Sequence, residues 1–173
     1  ANPVPTFAQL GGKTVVGGLV GGWFGVEVAK RRLGIVGSSG DAWVFPILIG
    51  LMIGRIGCFL TGLADHTCGI ETTLPWGIDF GDGLHRHPAQ LYEILLLGLV
   101  GVFLFRHRAD THSGELFRLF MLLYALVRLG LDFLKPSAKP YAGLSAIQLV
   151  ALMVIGYICW WYTRRPRRAN HER

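Results

Sequence analysis

Two arginines stand inside long apolar runs, where charge is rare and needs a reason. Arg55 falls in the C-terminal half of the run at about 43–63, and Arg128 in that of the run at about 116–134. At bilayer depth each costs about 2.5–3.5 kcal/mol unless something meets its charge. Asp132 lies one helical turn beyond Arg128 and Tyr124 one turn before it, so the three share a face. A buried Arg128–Asp132 pair that fixes helix packing is one reading. A single carboxylate does not neutralise two arginines, so the other reading is an anion that enters from outside.

A second group begins Arg86-His87-Pro88-Ala89-Gln90-Leu91-Tyr92-Glu93. Pro88 suits the first turn of a helix, and the free N–H groups of such a turn, beside Arg86, attract phosphate. Gln90 and Glu93 are three residues apart and share a face, so both are expected to point at the buried arginines. Glu93 reads as a partner for an arginine or as a base. His66 and His87 are candidates for proton transfer, since histidine titrates near neutrality, or else for interfacial hydrogen bonding. Asp65, His66 and Cys68, with Cys58 upstream, are metal-capable, but ligands this close in sequence rarely enclose an ion. No metal and no cofactor is expected.

The elements that must hold these residues are helices in lipid. The chain of 173 residues is 51% hydrophobic and 16% charged, against roughly 25% charged in soluble domains. Its net charge of +6 sits in short clusters between apolar blocks, which fits membrane orientation and implies no nucleic-acid partner. The three cysteines follow no zinc or disulfide spacing. Ala1 to Gly12 lacks the basic start and apolar core of a signal peptide, so insertion is expected to rely on the first span or on upstream sequence.

The expected fold is an all-α polytopic transmembrane bundle, a single domain over 1–173. Its five spans are expected at about 14–29, 43–63, 88–105, 116–134 and 143–162, with an outer loop at 64–87. Basic clusters follow the first span (Lys30, Arg31, Arg32), the third (Arg106, Arg108) and the fifth (Arg164, Arg165, Arg167, Arg168). The N-terminus is therefore expected outside and the C-terminus inside, with both buried arginines in the outer halves of their spans. Gly17, Gly18, Gly21, Gly22 and Gly25 give the first span a small-residue face, for close helix packing or for approach of bare backbone to a ligand. Trp76 to Gly83 reads as turns at the outer interface, a lid over whatever the bundle binds.

Five stretches, in order, resemble the prolipoprotein diacylglyceryl transferases of the bacterial inner membrane. Gly54-Arg55-Ile56-Gly57-Cys58-Phe59 is similar to that family's Gly-Arg-(Ile/Leu)-Gly-Asn-Phe signature, and Leu74-Pro75-Trp76-Gly77 to its Pro-Trp-Gly turn. Arg86 to Glu93 resembles its His-Pro-(Ser/Thr)-Gln-Leu-Tyr-Glu motif. Gly114 to Pro136 resembles its later helix, with Arg128 at the family's arginine and Asp132 where it usually shows Glu. Ser145-Ala146-Ile147-Gln148 resembles the opening of its last span.

The resemblance implies a multi-pass enzyme of the bacterial inner (cytoplasmic) membrane. It would move the diacylglyceryl group of phosphatidylglycerol, or act on another anionic phospholipid, with the thiol of a prolipoprotein's lipobox cysteine as acceptor. His87, His66, Arg55 and Arg128 are then the catalytic candidates. Arg55, Arg86, Gln90, Tyr92, Glu93, Arg128, Asp132, Cys58, Gly17 and Gly18 would contact substrate. The sequence also departs from the pattern. Val16 stands where the family's glycine-rich helix has His, Cys58 replaces Asn, Leu63 falls where a Glu is usual, and two initial spans have no counterpart. A divergent or N-terminally shortened member is expected, the alternative being a non-catalytic relative that binds anionic phospholipid as a membrane subunit or scaffold.

Overall fold

The computed structural model describes residues 15–35, 39–65, 67–109, 111–135 and 143–164. Five helices carry most of them: α1 (Val15–Leu33), α2 (Gly40–Thr61), α3 (Ala89–His107), α4 (Glu115–Asp132) and α5 (Ala146–Arg164). All five expected apolar runs are helical, the largest difference being the end of α1, at Leu33 instead of 29. Among the described residues, three segments are long and apolar enough to cross a membrane: Gly40–Ala64, Ala89–His107 and Ala146–Arg164. Helix α1 holds Glu27, Lys30, Arg31 and Arg32, and α4 holds Glu115, Arg118, Arg128 and Asp132, which sets both apart from those three.

Helix α1 forms one compact unit and the residues from 39 onward a second. Gly34, at φ +67°, takes the left-handed turn that ends α1, and the Ile35 N–H closes back on the Lys30 carbonyl at 3.0 Å.

In the second unit α4 is the central element, packed against α2, α3 and α5. Phe120, Met121, Tyr124 and Ala125 are buried along it, together with Arg128 and Asp132. The outer helices show the converse pattern. Ile49, Ile53 and Leu60 of α2, Leu95 and Leu99 of α3, and Leu152 and Met153 of α5 are apolar and exposed, a distribution suited to a lipid solvent. Helices α2 and α3 approach closely at Gly101, where an added Cβ would lie 3.2 Å from Leu48 Cδ2. The N-terminus of α4 is capped in trans. The Asp41 carboxylate, from the first turn of α2, accepts the N–H groups of Gly114 and Phe117, the latter at 2.9 Å. Arg118 stacks over Trp161 at 4.0 Å and ties α4 to α5.

Between α2 and α3 the chain is not helical throughout, which qualifies the all-α expectation. A short 3₁₀ turn (Gly62–Asp65) leads to two small strands, β1 (Ile78–Asp79) and β2 (His85–Arg86), antiparallel with Ile78 opposite Arg86 and Asp79 opposite His85. On the other side of β2, Glu71 bridges Arg86, and the bonds Gly69 N to His87 O and His87 N to Ile70 O extend the ladder. The expected turn lies within this hairpin. Asp79 Oδ1 accepts the N–H groups of Gly81, Asp82 and Gly83 at 2.8, 3.1 and 3.0 Å, curling the backbone around one carboxylate. Phe80 packs edge-on against Phe59, ring centres 5.8 Å apart, and so folds the hairpin back onto the end of α2.

Candidate functional site

Two helices and the segment after α4 bring cations to one carboxylate on a third helix. Glu93, one turn into α3, is fully buried. Arg128 of α4 donates from Nη1 to both its oxygens, at 3.0 and 2.9 Å. Arg55 of α2 approaches Oε2 through Nε at 3.0 Å. Lys135, seven residues beyond Arg128, brings Nζ to 3.8 Å of the same oxygen. The Tyr124 hydroxyl lies beside both arginines. The two buried arginines therefore do converge, and Glu93 is the group between them.

Asp132 lies one turn from Arg128 and accepts the Ser145 hydroxyl at 2.6 Å. Ser145 also opens α5 as a reciprocal cap: its Oγ accepts the Gln148 N–H at 3.1 Å, and the Gln148 side chain accepts the Ser145 N–H at 2.9 Å. One serine thus anchors the start of α5 to the charged end of α4.

Counting the described residues, three cations (Arg55, Arg128 and Lys135) face two carboxylates (Glu93 and Asp132). Arg128 Nε, Gln90 Oε1 and Gln148 Nε2 are buried with no hydrogen-bond partner among the described residues. A buried cation in excess of its carboxylates is destabilising, so stability alone does not account for the arrangement. An anion drawn to it would find guanidinium and amide N–H groups at hand.

Above Glu93 on α3, Gln90 Nε2 reaches Thr67 Oγ1 at 3.2 Å and Cys68 Sγ at 3.5 Å, fixing the start of the loop. The Tyr92 hydroxyl accepts from Trp76 Nε1 at 2.9 Å and contacts His87 Nδ1 at 3.1 Å. That bond leaves Nε2 of His87 as the ring nitrogen it does not use. Cys58 receives Arg55 Nη1 at 3.7 Å. The loop also encloses an open cleft of about 800 Å³, lined by Glu71, Thr72, Thr73, Leu74, Pro75, Gly83, Leu84 and His85, none of which belongs to the Glu93 cluster.

Arg86 is placed differently from the other candidates. It sits on β2 and binds Asp82 Oδ2 through Nε and Nη2 at 3.0 and 2.7 Å, with Glu71 at 3.8 Å. This pairing holds the Asp82 carboxyl below the usual carboxylate range and raises Arg86 further. Gly17 and Gly18 belong to the α1 unit, and His66 lies outside the described residues. Lys135 was not singled out from sequence, and Ser145 and Gln148 only within the motif that opens the last span; Lys135 lies beyond both the expected span and α4, so no helical spacing pointed to it.

The match to known proteins covers nearly the same ground as this architecture. Residues 1–163 match the family described as prolipoprotein diacylglyceryl transferase. The chain belongs to that family. A phosphatidylglycerol–prolipoprotein diacylglyceryl transferase of Nitratidesulfovibrio vulgaris (strain DP4) is 37% identical over 142 residues, covering 78% of this chain and 52% of the relative. One from the Miyazaki F strain of that species is 36% identical over 172 residues, covering 92% and 63%. One from Coxiella burnetii (strain Dugway 5J108-111) is 32% identical over 183 residues, covering 97% and 69%. The chain thus spans about half to two thirds of these relatives' lengths. No solved structure matches it.

Proposed function

We propose that this member of the prolipoprotein diacylglyceryl transferase family transfers the diacylglyceryl group of phosphatidylglycerol to the lipobox cysteine thiol of a prolipoprotein. The observation that carries the reading is the convergence of Arg55 and Arg128 on one buried carboxylate, with cations in excess. The relatives' names describe that reaction.

In this reading the acceptor sulfur attacks the glyceryl carbon that bears the phosphate ester. The C–S bond forms as the C–O bond breaks, and glycerol phosphate leaves with the electron pair. Negative charge grows on the departing phosphate, where the fixed guanidinium groups stabilise it. Glu93 holds the two arginines at a set separation, and Gln90 and Tyr92 order the headgroup. The thiol must lose its proton, and His87, whose Nδ1 is held by Tyr92, is the described candidate to take it.

The same reading places the chain in the bacterial inner membrane with five crossings, the N-terminus outside. Its support is the basic last turns of α1 and α3 and Arg164 at the end of α5, against the acid-bearing loop between α2 and α3. The charged cluster then sits at the outer ends of its helices.

The test is transfer of labelled phosphatidylglycerol to a lipobox peptide by the full chain in phospholipid nanodiscs. Arg128→Ala is expected to lower kcat/KM roughly 10²–10³-fold while insertion is retained. Wild-type rates in both Arg128→Ala and Arg55→Ala would remove the site from the mechanism.

A further inference from the structure

We propose that Lys135 is the third cation of the anionic-headgroup site and supplies the single positive charge by which the buried cluster exceeds its carboxylates. This rests on the lipid-binding reading above and adds to it the residue that makes the site attractive to an anion.

Among the described residues, Arg55 and Arg128 are matched in number by Glu93 and Asp132, so without Lys135 the described cluster is neutral. With the ammonium it carries one surplus charge, the amount a phosphodiester brings. Lys135 lies past the end of α4, with its side chain 11% exposed and Nζ 3.8 Å from Glu93 Oε2. It is thus about as enclosed as Arg55 and Arg128, at 10% and 8%, and reaches the cluster from beyond the end of α4. Among the described residues, the charged and titratable groups facing it are Arg55 from α2, Glu93 from α3, and Arg128 and Asp132 from α4, with Tyr124 behind the arginines.

The surplus is also titratable. Burial, reinforced by the two guanidinium groups and opposed by Glu93 and Asp132, pulls the Lys135 ammonium down to about 8. Arginine does not lose its proton in this range. Below that pH the site holds its extra charge, and above it the site is neutral. Anionic lipid binding should therefore weaken as pH rises through the titration of Lys135.

Retention of phosphatidylglycerol by the full chain, measured by native mass spectrometry from mixed micelles, tests this. From about pH 7 to about pH 9, wild-type affinity is expected to fall close to tenfold. Lys135→Arg, which keeps a permanent charge, should bind at least as well at both pH values and flatten the dependence. Lys135→Met, with helix content checked by circular dichroism, should bind about tenfold more weakly at about pH 7. Wild-type binding by Lys135→Met, alongside loss of binding by Arg128→Ala, would overturn the role of Lys135 and leave the lipid reading standing. A wild-type chain that retains no phosphatidylglycerol would sink both. Inorganic phosphate that competed as well as the lipid, with the same pH dependence, would show a site for a free anion and overturn the assignment to the headgroup.

Discussion

Two arginine–carboxylate contacts of nearly equal length, one in the bundle and one in the loop between α2 and α3, differ in almost everything that decides their worth. Arg128 meets Glu93 at 2.9 Å and Arg86 meets Asp82 at 2.7 Å. The Glu93 side chain is 1% exposed, while Asp82 retains 25%. In the loop, water screens both partners before and after pairing, so little is gained by forming the contact. In the bundle, Glu93 serves two guanidinium groups and an ammonium that have left water, and removing it strands all three. Distance reports that a contact exists. Surroundings decide whether the molecule depends on it.

The sharpest way to break the comparison is to remove the shared acid. Glu93→Ala is expected to lower unfolding free energy by about 3–5 kcal/mol, since it leaves buried cations uncompensated. The measurement is the denaturant midpoint in detergent, set against Glu93→Gln, which keeps the side chain's size and hydrogen-bonding ends. An alanine variant as stable as wild type would mean that lipid, not Glu93, holds the guanidinium groups in place.

How much of this was legible in the sequence follows from the same distinction. The five helices were legible because an apolar run of membrane length has few other outcomes in lipid. Arg55 and Arg128 stood out because charge inside such runs is rare, and Glu93 because its spacing from Gln90 put both on an inward face. Glu93 could be read as an arginine's partner because its face points inward, but contacts made beyond the ends of the helices could not be read in the same way. The reach of Asp132 to Ser145 depends on where α5 begins relative to α4, and no local pattern encodes that. Arg86 stood out because it precedes a helix, and its contact with Asp82, four residues back, forms once Asp79 has gathered the intervening backbone.

A middle case joins the two regions. Gly69 docks the loop between α2 and α3 against the bundle: its N–H bonds the His87 carbonyl, and the next residue bonds Leu134. A Cβ there would lie 2.6 Å from His87 Cβ and 2.7 Å from its carbonyl oxygen, the latter being backbone and unable to yield cheaply. Gly69→Ala is expected to cost about 1–3 kcal/mol and to loosen the His87–Tyr92 contact. Amide hydrogen exchange should show faster exchange at residues 69–72 and 85–87 with the helices unchanged. Unchanged protection in the loop would mean that the strand edge absorbs the methyl group.

The smallest effect belongs to the outer pair. Arg86→Ala breaks the contacts with Asp82 and Glu71, both of which remain hydrated when released. The denaturant midpoint should stay within error of wild type. The Asp82 carboxyl, held low by Arg86, should return toward the ordinary range, a change readable by NMR titration of that carboxyl. The ladder bonds around β2 run through backbone, so the hairpin should persist without the guanidinium. If Arg86→Ala left the midpoint alone but weakened phosphatidylglycerol retention as much as Arg128→Ala, the contrast would have to be redrawn. The outer arginine would then act by exchanging Asp82 for the incoming phosphate, and the hairpin would be part of the headgroup site instead of a cover beside it.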